Sequence, residues 1–307
     1  MRQNKLDGNN HMTSNQSALA AATRGFFRIL AVCIPVLMLL TSAQGQHSEP
    51  SAGAKGMPGA QGTIEYKPTD WKGNVTTYWK DTDGIDPGSS TNVTVAHSWI
   101  DNGDDNIAIK TGTTHMSVLD NHFYSGHGMS IGSETYSGDS FLLVDGLTED
   151  HTTSGIRIKS NVTRGGPVHD LTYQNICMRG VKNPIAISPY YTNQTTEPFE
   201  DPKYAGDRIP DYKAITIRNV SSATAGDVLI AGLNEAHRTE VSLDNVKITG
   251  ITPGQVHGHF ATVTLGPGGS NIDFSGTDLK VVPARDVEVK ATAAAAFSCE
   301  GKFLPMR

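Results

Sequence analysis

Cysteine is scarce: the 307 residues contain three. Cys33 lies inside an apolar run, and Cys177 and Cys299 stand far apart in the chain. A disulfide-dense scaffold, the usual support of small secreted domains, is excluded. Spacing does not show that the two later cysteines meet, and two unpaired thiols suit the sequence as well as one bridge. Clustered positive charge is also missing. The net charge is −6 with 25 Lys and Arg, and no basic run exceeds a residue or two. Sequence-independent binding of nucleic acid needs such clusters, so no nucleic-acid partner is expected. Long amphipathic helical patterns are hard to find. What the chain has instead is glycine, 32 residues of it, between short apolar stretches. Many short strands joined by frequent turns are the expectation.

No apolar run reaches the roughly 20 residues that span a bilayer. Residues 29–40 (ILAVCIPVLMLL) are the longest stretch. Arg24 and Arg28 precede it and Ala43-Gln44-Gly45 follows, the layout of a secretory signal. The sequence therefore predicts a signal peptide over 1–45, a flexible linker over 46–62 and one folded domain over 63–307. The product would be secreted or periplasmic, with no stable membrane association after cleavage.

An internal repeat organises that domain. Alternating apolar triplets recur at Val93, Met116, Phe141, Leu171, Ile215, Val241 and Ile272, at intervals of 23, 25, 30, 44, 26 and 31 residues. Asn121, Asn175, Asn219 and Asn245 follow several of them. A second set starts at Ile107, Met129, Ile156 and Ile185. Each alternating strand turns one apolar face inward, and no single strand can bury that face alone. Stacked coils bury all of them in one core. An all-β parallel β-helix, a solenoid with Asn stacked at its turns, fits best. An antiparallel sandwich would need paired hairpin loops that the repeats lack.

Four polar segments fall in step with the coils: Asp83-Gly84-Ile85-Asp86, Asp104-Asp105-Asn106, Gly126-His127-Gly128 and Arg157-Ile158-Lys159. Adjacent strands lie about 4.8 Å apart, so residues one coil apart stack. Three acids, one imidazole and two cations would share one outer face. In Gly155-Ile156-Arg157-Ile158-Lys159 the alternation sends both Ile inward and both cations outward. Two carboxyl groups flanking a bond suit glycoside hydrolysis, and paired cations suit an anionic sugar such as a uronate. Other readings are weaker. The Asp81–Asp86 run lacks the Gly and Glu positions of a calcium loop. Ser130 sits in a G-x-S-x-G pattern without the helix that motif needs. His257 and His259 have no acid pair in register and read as surface histidines.

The segments Thr82-Asp83-Gly84-Ile85-Asp86, Gly103 to Lys110, Gly126 to Glu134 and Arg157-Ile158-Lys159-Ser160, with the tail Cys299-Glu300-Gly301-Lys302, resemble the signature set of family 28 glycoside hydrolases, the polygalacturonases. The resemblance implies a right-handed parallel β-helix and inverting hydrolysis of α-1,4-galacturonosyl bonds in polygalacturonate or pectin, without metal or cofactor. It implies that Asp104 is the general acid and that Asp83 and Asp105 activate water. His127 would support the acid's proton, and Arg157 and Lys159 would bind the uronate carboxylate. Of Tyr190 and Tyr191, Tyr191 would line the subsite. Gly84-Ile85-Asp86-Pro87 and Asp105 to Lys110 lean toward end-wise cleavage, and a monomer is expected. Rhamnogalacturonan or xylogalacturonan hydrolysis is the alternative within the family, and an inactive pectin-binding remnant the alternative outside catalysis. Two departures stand out. Asp81 replaces the family's usual Asn, and the residues before Asp83 are too few for the coils that normally precede it.

Overall fold

The computed structural model describes residues 82–192, 205–283 and 297–306. The predicted signal peptide, the linker and Asp81 lie outside the described residues. Sixteen strands follow one another: β1 (Thr94–Ala96), β2 (Trp99–Asp101), β3 (Ile107–Ile109), β4 (Thr114–Leu119), β5 (His122–Tyr124), β6 (Met129–Ile131), β7 (Asp139–Asp145), β8 (Thr148–Asp150), β9 (Ser154–Lys159), β10 (Pro167–Arg179), β11 (Asn183–Ser188), β12 (Asp211–Ser222), β13 (Val228–Ala231), β14 (Thr239–Ile248), β15 (Val256–Leu265) and β16 (Asp278–Pro283). All pairings between them are parallel.

The winding makes three faces. The first runs β1-β4-β7-β10-β12-β14 and then the end of β15; the second begins β2-β5-β8 and continues into the later half of β10; the third runs β3-β6-β9-β11-β13 to the start of β15. This is the parallel β-helix that the repeat predicts, with one more face than the two strand sets suggested. The second face escaped notice because its first three strands are three residues each, too short to show alternation. In β10, β12 and β14 one strand serves two faces.

The corner between the first two faces has a local cause. His97, Asp120, Gly146, Asn175, Asn219 and Asn245 all take positive φ. Asn and Gly tolerate that conformation best, so the repeated Asn marks a bend. Their side chains form a ladder: Asn245 donates to Asn219, Asn219 to Asn175, and Asn175 to Asp145. Asn121 plays a different part, donating to the Val95 carbonyl at 2.9 Å and accepting from the Ser98 N–H.

Inside, equivalent residues stack. Ile109, Ile131, Ile158, Ile187 and Ile230 form one column in register on the third face, all essentially buried. Each such side chain contributes about 1.5–3 kcal/mol over an exposed one. Two repeat copies differ from expectation. Phe141 is 49% exposed, while Leu142 and Val144 point inward; positive φ at Phe141 shifts the alternation by one. Ile272 and Phe274 are buried but lie outside any strand, and Val263 and Leu265 of β15 supply the first-face pairing instead.

Cys177 and Cys299 form a disulfide, so the reading that leaves both as free thiols does not hold. The bridge fastens the segment 297–306 to the second face, where the Tyr124 hydroxyl donates to the Leu304 carbonyl and Arg179 stacks on Phe303.

Candidate active site

The third face carries the polar cluster. Ile156 and Ile158 of β9 fill the core, so alternation turns Arg157 and Lys159 outward. Beside Arg157 in register are Ser130 and Ala186, small enough to leave room for the guanidinium. Asp105 and His127 each lie two residues before a strand, β3 and β6, so consecutive coils bring them to the same edge. Gly84 and Gly128 make the approach possible. A Cβ at Gly84 would collide with the Asn106 carbonyl, and one at Gly128 with that of Ser154.

Asp105 is the hub and is 1% exposed. Its Oδ1 accepts from Arg157 Nη1 at 2.9 Å and its Oδ2 from Lys159 Nζ at 2.7 Å. Its backbone N–H faces two further carboxylates, Asp104 Oδ1 at 2.8 Å and Asp83 Oδ1 at 3.2 Å. His127 Nδ1 lies 2.7 Å from Asp104 Oδ1. The Tyr191 ring sits under both cations, 5.1 Å from Lys159 Nζ and 5.6 Å from the Arg157 guanidinium carbon. All seven residues singled out from the sequence are joined in one network. Burial, and then the Arg157 charge, push the Lys159 ammonium below its ordinary range, against the pull of Asp105 and Asp104. Burial pushes the Tyr191 phenol up. Arg157 Nε is buried without a hydrogen-bond partner among the described residues.

Two further members, within the quoted segments, carry no role in the sequence reading. Lys110 Nζ lies 3.5 Å from Asp83 Oδ2. It continues the alternation Ile107-Ala108-Ile109-Lys110, the same signal that places Lys159 one step beyond Ile158. Asp86 interacts with Asp83, and its carboxyl is pushed up to about 6, by partial burial first and then by the Asp83 charge, with Lys110 opposing.

Oxygen and nitrogen atoms of Asp104, Asp105 and His127 come within 4.8 Å of one another, a spacing that could suit a metal ion. Both Asp105 oxygens, however, already face cations. A divalent ion there would meet two positive charges at close range. Ser130 is a buried strand residue, with a short non-helical turn after β6. His257 and His259 point outward from β15, and His259 Nδ1 lies 3.0 Å from Asp278.

A family model for glycosyl hydrolases family 28 matches residues 50–264. The chain is 41% identical over 195 residues to an endo-polygalacturonase of Pectobacterium carotovorum subsp. carotovorum, covering 61% of this chain and 46% of that protein. It is 35% identical over 252 residues to a polygalacturonase of Ralstonia solanacearum, covering 74% and 46% respectively. The chain thus spans about half the length of the curated relatives it matches. In fold it is similar to a solved family 28 exopolygalacturonase of Yersinia enterocolitica, with a TM-score of 0.50 at 22% identity, covering 65% of this chain and 38% of that one. With a parallel β-helix, and a family match that runs across its first six coils, the chain belongs to glycosyl hydrolase family 28.

Proposed function

We propose that this chain hydrolyses α-1,4-galacturonosyl bonds of polygalacturonate by acid/base catalysis without a metal. One observation carries the reading: Asp83 and Asp104, from successive coils, converge on the N–H of Asp105, whose own carboxylate holds Arg157 and Lys159. Asp104 is partly exposed and has His127 against one oxygen. It is the group placed to give a proton to the departing glycosidic oxygen, with His127 positioning that proton. Asp83, held by Lys110, and Asp105, paired with Arg157 and Lys159, orient the attacking water on the other side of the bond. The resemblance to inverting enzymes supports direct displacement with no covalent intermediate.

Substrate class follows from charge. The chain is acidic overall, which repels a polyanion at long range. Arg157 and Lys159 offset that field locally and are the charge partners for a uronate carboxylate. Tyr191 gives a flat wall for the sugar ring. The names of the relatives, polygalacturonases of both endo and exo kinds, agree with this substrate. Export by the 1–45 segment belongs to the same reading, with 63–307 as the catalytic domain; among the described residues no helix is long and apolar enough to cross a membrane.

The test is product chemistry. Incubation with polygalacturonate releases saturated reducing ends, and product sizes from a defined oligomer separate end-wise from internal cleavage. Unsaturated, ultraviolet-absorbing products would mean β-elimination and overturn the hydrolytic mechanism.

A further inference from the structure

On segments that leave the seven-residue network, an aromatic ring and a cation are displayed together at the surface. The Arg208 guanidinium carbon lies 5.0 Å from the centroid of the Tyr136 ring. Tyr136 is 48% exposed, and Arg208 is exposed as well. A guanidinium over a ring spends its face and leaves its N–H donors available. Among the described residues no carboxylate forms an ion pair with Arg208. Arg157, Arg164, Arg179 and Arg238 each have one, and Arg218, which has none, gives its donors to the Gln174 side chain. An exposed arginine held in place with unspent donors is built to receive an acceptor from outside.

Both residues are fixed by the segments that leave the central site. Gly132 packs against the Lys159 carbonyl, and Tyr136 follows four residues later. Its turn is tied down where the Ser160 hydroxyl donates to the Ser133 carbonyl at 2.7 Å and the Thr135 N–H donates to the Arg164 carbonyl at 2.9 Å. On the other side the Arg208 N–H donates to the Val162 carbonyl at 3.0 Å. Val162 is three residues beyond Lys159, so at most about 10 Å of extended chain separates them. Glu134, two residues before Tyr136, is already engaged by Arg164 at 2.9 Å and leaves Arg208 to other anions. A site fixed before the ligand arrives binds at lower entropic cost.

We infer that Tyr136 and Arg208 form an outlying subsite that takes a uronate unit beyond the two flanking the cleaved bond, the ring against the sugar face and the guanidinium against its carboxylate. This deepens the polygalacturonate reading and rests on it. The alternative, a clasp that only ties the 133–137 turn to the 205–209 segment, predicts no dependence on substrate length.

The experiment compares kcat/KM on galacturonate oligomers of two to five units for wild type, Arg208→Gln, Tyr136→Ala and Tyr136→Phe. In wild type, longer oligomers are better substrates. In Arg208→Gln the advantage of the pentamer over the dimer falls about tenfold, the scale of one charge-assisted hydrogen bond. Tyr136→Ala lowers it too, Tyr136→Phe restores it, and thermal midpoints stay at the wild-type value. An unchanged length advantage in Arg208→Gln overturns the inference, as does an equal loss at every length. If the wild type cleaves none of the oligomers, the polygalacturonase reading itself fails. Calorimetric binding of galacturonate trimer to wild type and Arg208→Gln then decides the subsite alone: weaker binding by the variant supports it, and equal affinity overturns it.

Discussion

Lys159 is buried on the outer face of a β-sheet, with its ammonium 2.7 Å from the carboxylate of Asp105, a residue 54 positions earlier. Neither charge is solvated, so each is tolerable only because the other is present, with Arg157 as the third member. Such a cluster is a weak source of stability and a strong source of a fixed electric field.

Replacing Lys159 by Met removes a cation from the uronate position and leaves Asp105 with Arg157. Michaelis constants for galacturonate oligomers should rise about tenfold or more, with a smaller change in kcat. Asp105→Asn is the harsher change. It leaves two neighbouring cations uncompensated and should cost about 3 kcal/mol of stability by denaturant titration. An unchanged Michaelis constant in Lys159→Met would remove this residue from substrate binding.

Glu149 sets a pH dependence of stability. Its neighbours in register on the second face, Phe123 and Met178, are both apolar. It is fully buried, Oε1 accepts the Met129 N–H at 3.3 Å, and Oε2 has no hydrogen-bond partner among the described residues. Burial raises its carboxyl from 4.5 to about 8, with the Met129 bond opposing. The folded chain therefore holds a proton that the unfolded chain releases. The stabilisation is complete below about pH 4.5 and is lost as pH rises through about 8. Asp139, buried and raised to about 7, acts in the same direction. Melting temperature should fall from pH 5 to pH 8, and Glu149→Gln should flatten part of that slope by a few kcal/mol at the alkaline end. Equal pH slopes in both proteins would contradict the assignment.

The Cys177–Cys299 bridge closes a long loop and secures the last described segment. Reduction, or the double change to Ser, should lower stability by about 2–4 kcal/mol. It should also make the region near Leu304 sensitive to protease, since the Tyr124 and Arg179 contacts would then lack the covalent tether. A reducing agent that leaves both unchanged would show the bridge to be dispensable.

Chelation bears on the Asp104–Asp105–His127 group. Both oxygens of Asp105 face cations, so prior treatment with EDTA should leave the rate unchanged. Loss of activity restored by a divalent ion would require a different arrangement of these side chains.

Much of this was legible in the sequence because a solenoid converts spacing into proximity. Steps near one coil in length place Asp83, Asp104 and His127 side by side, and alternation turns Arg157 and Lys159 outward. Other features were hidden for definite reasons. The second face uses three-residue strands, below the length at which periodicity shows. Positive φ at Phe141 slips the register by one. The buried acid Glu149 breaks the apolar pattern between Phe123 and Met178. Whether Cys177 meets Cys299 depends on where the chain end returns, which no local pattern encodes. Tyr136 and Arg208 meet across two turns, with no repeat to align them.

Reducing-end release from polygalacturonate by wild type and by Asp104→Asn tests the central claim most directly. Asn preserves the shape and can still face His127, but it has no proton to give. Wild type should hydrolyse the polymer, and the variant should be slower by about 100- to 10,000-fold at an unchanged melting temperature. A folded Asp104→Asn protein that works near the wild-type rate would contradict it.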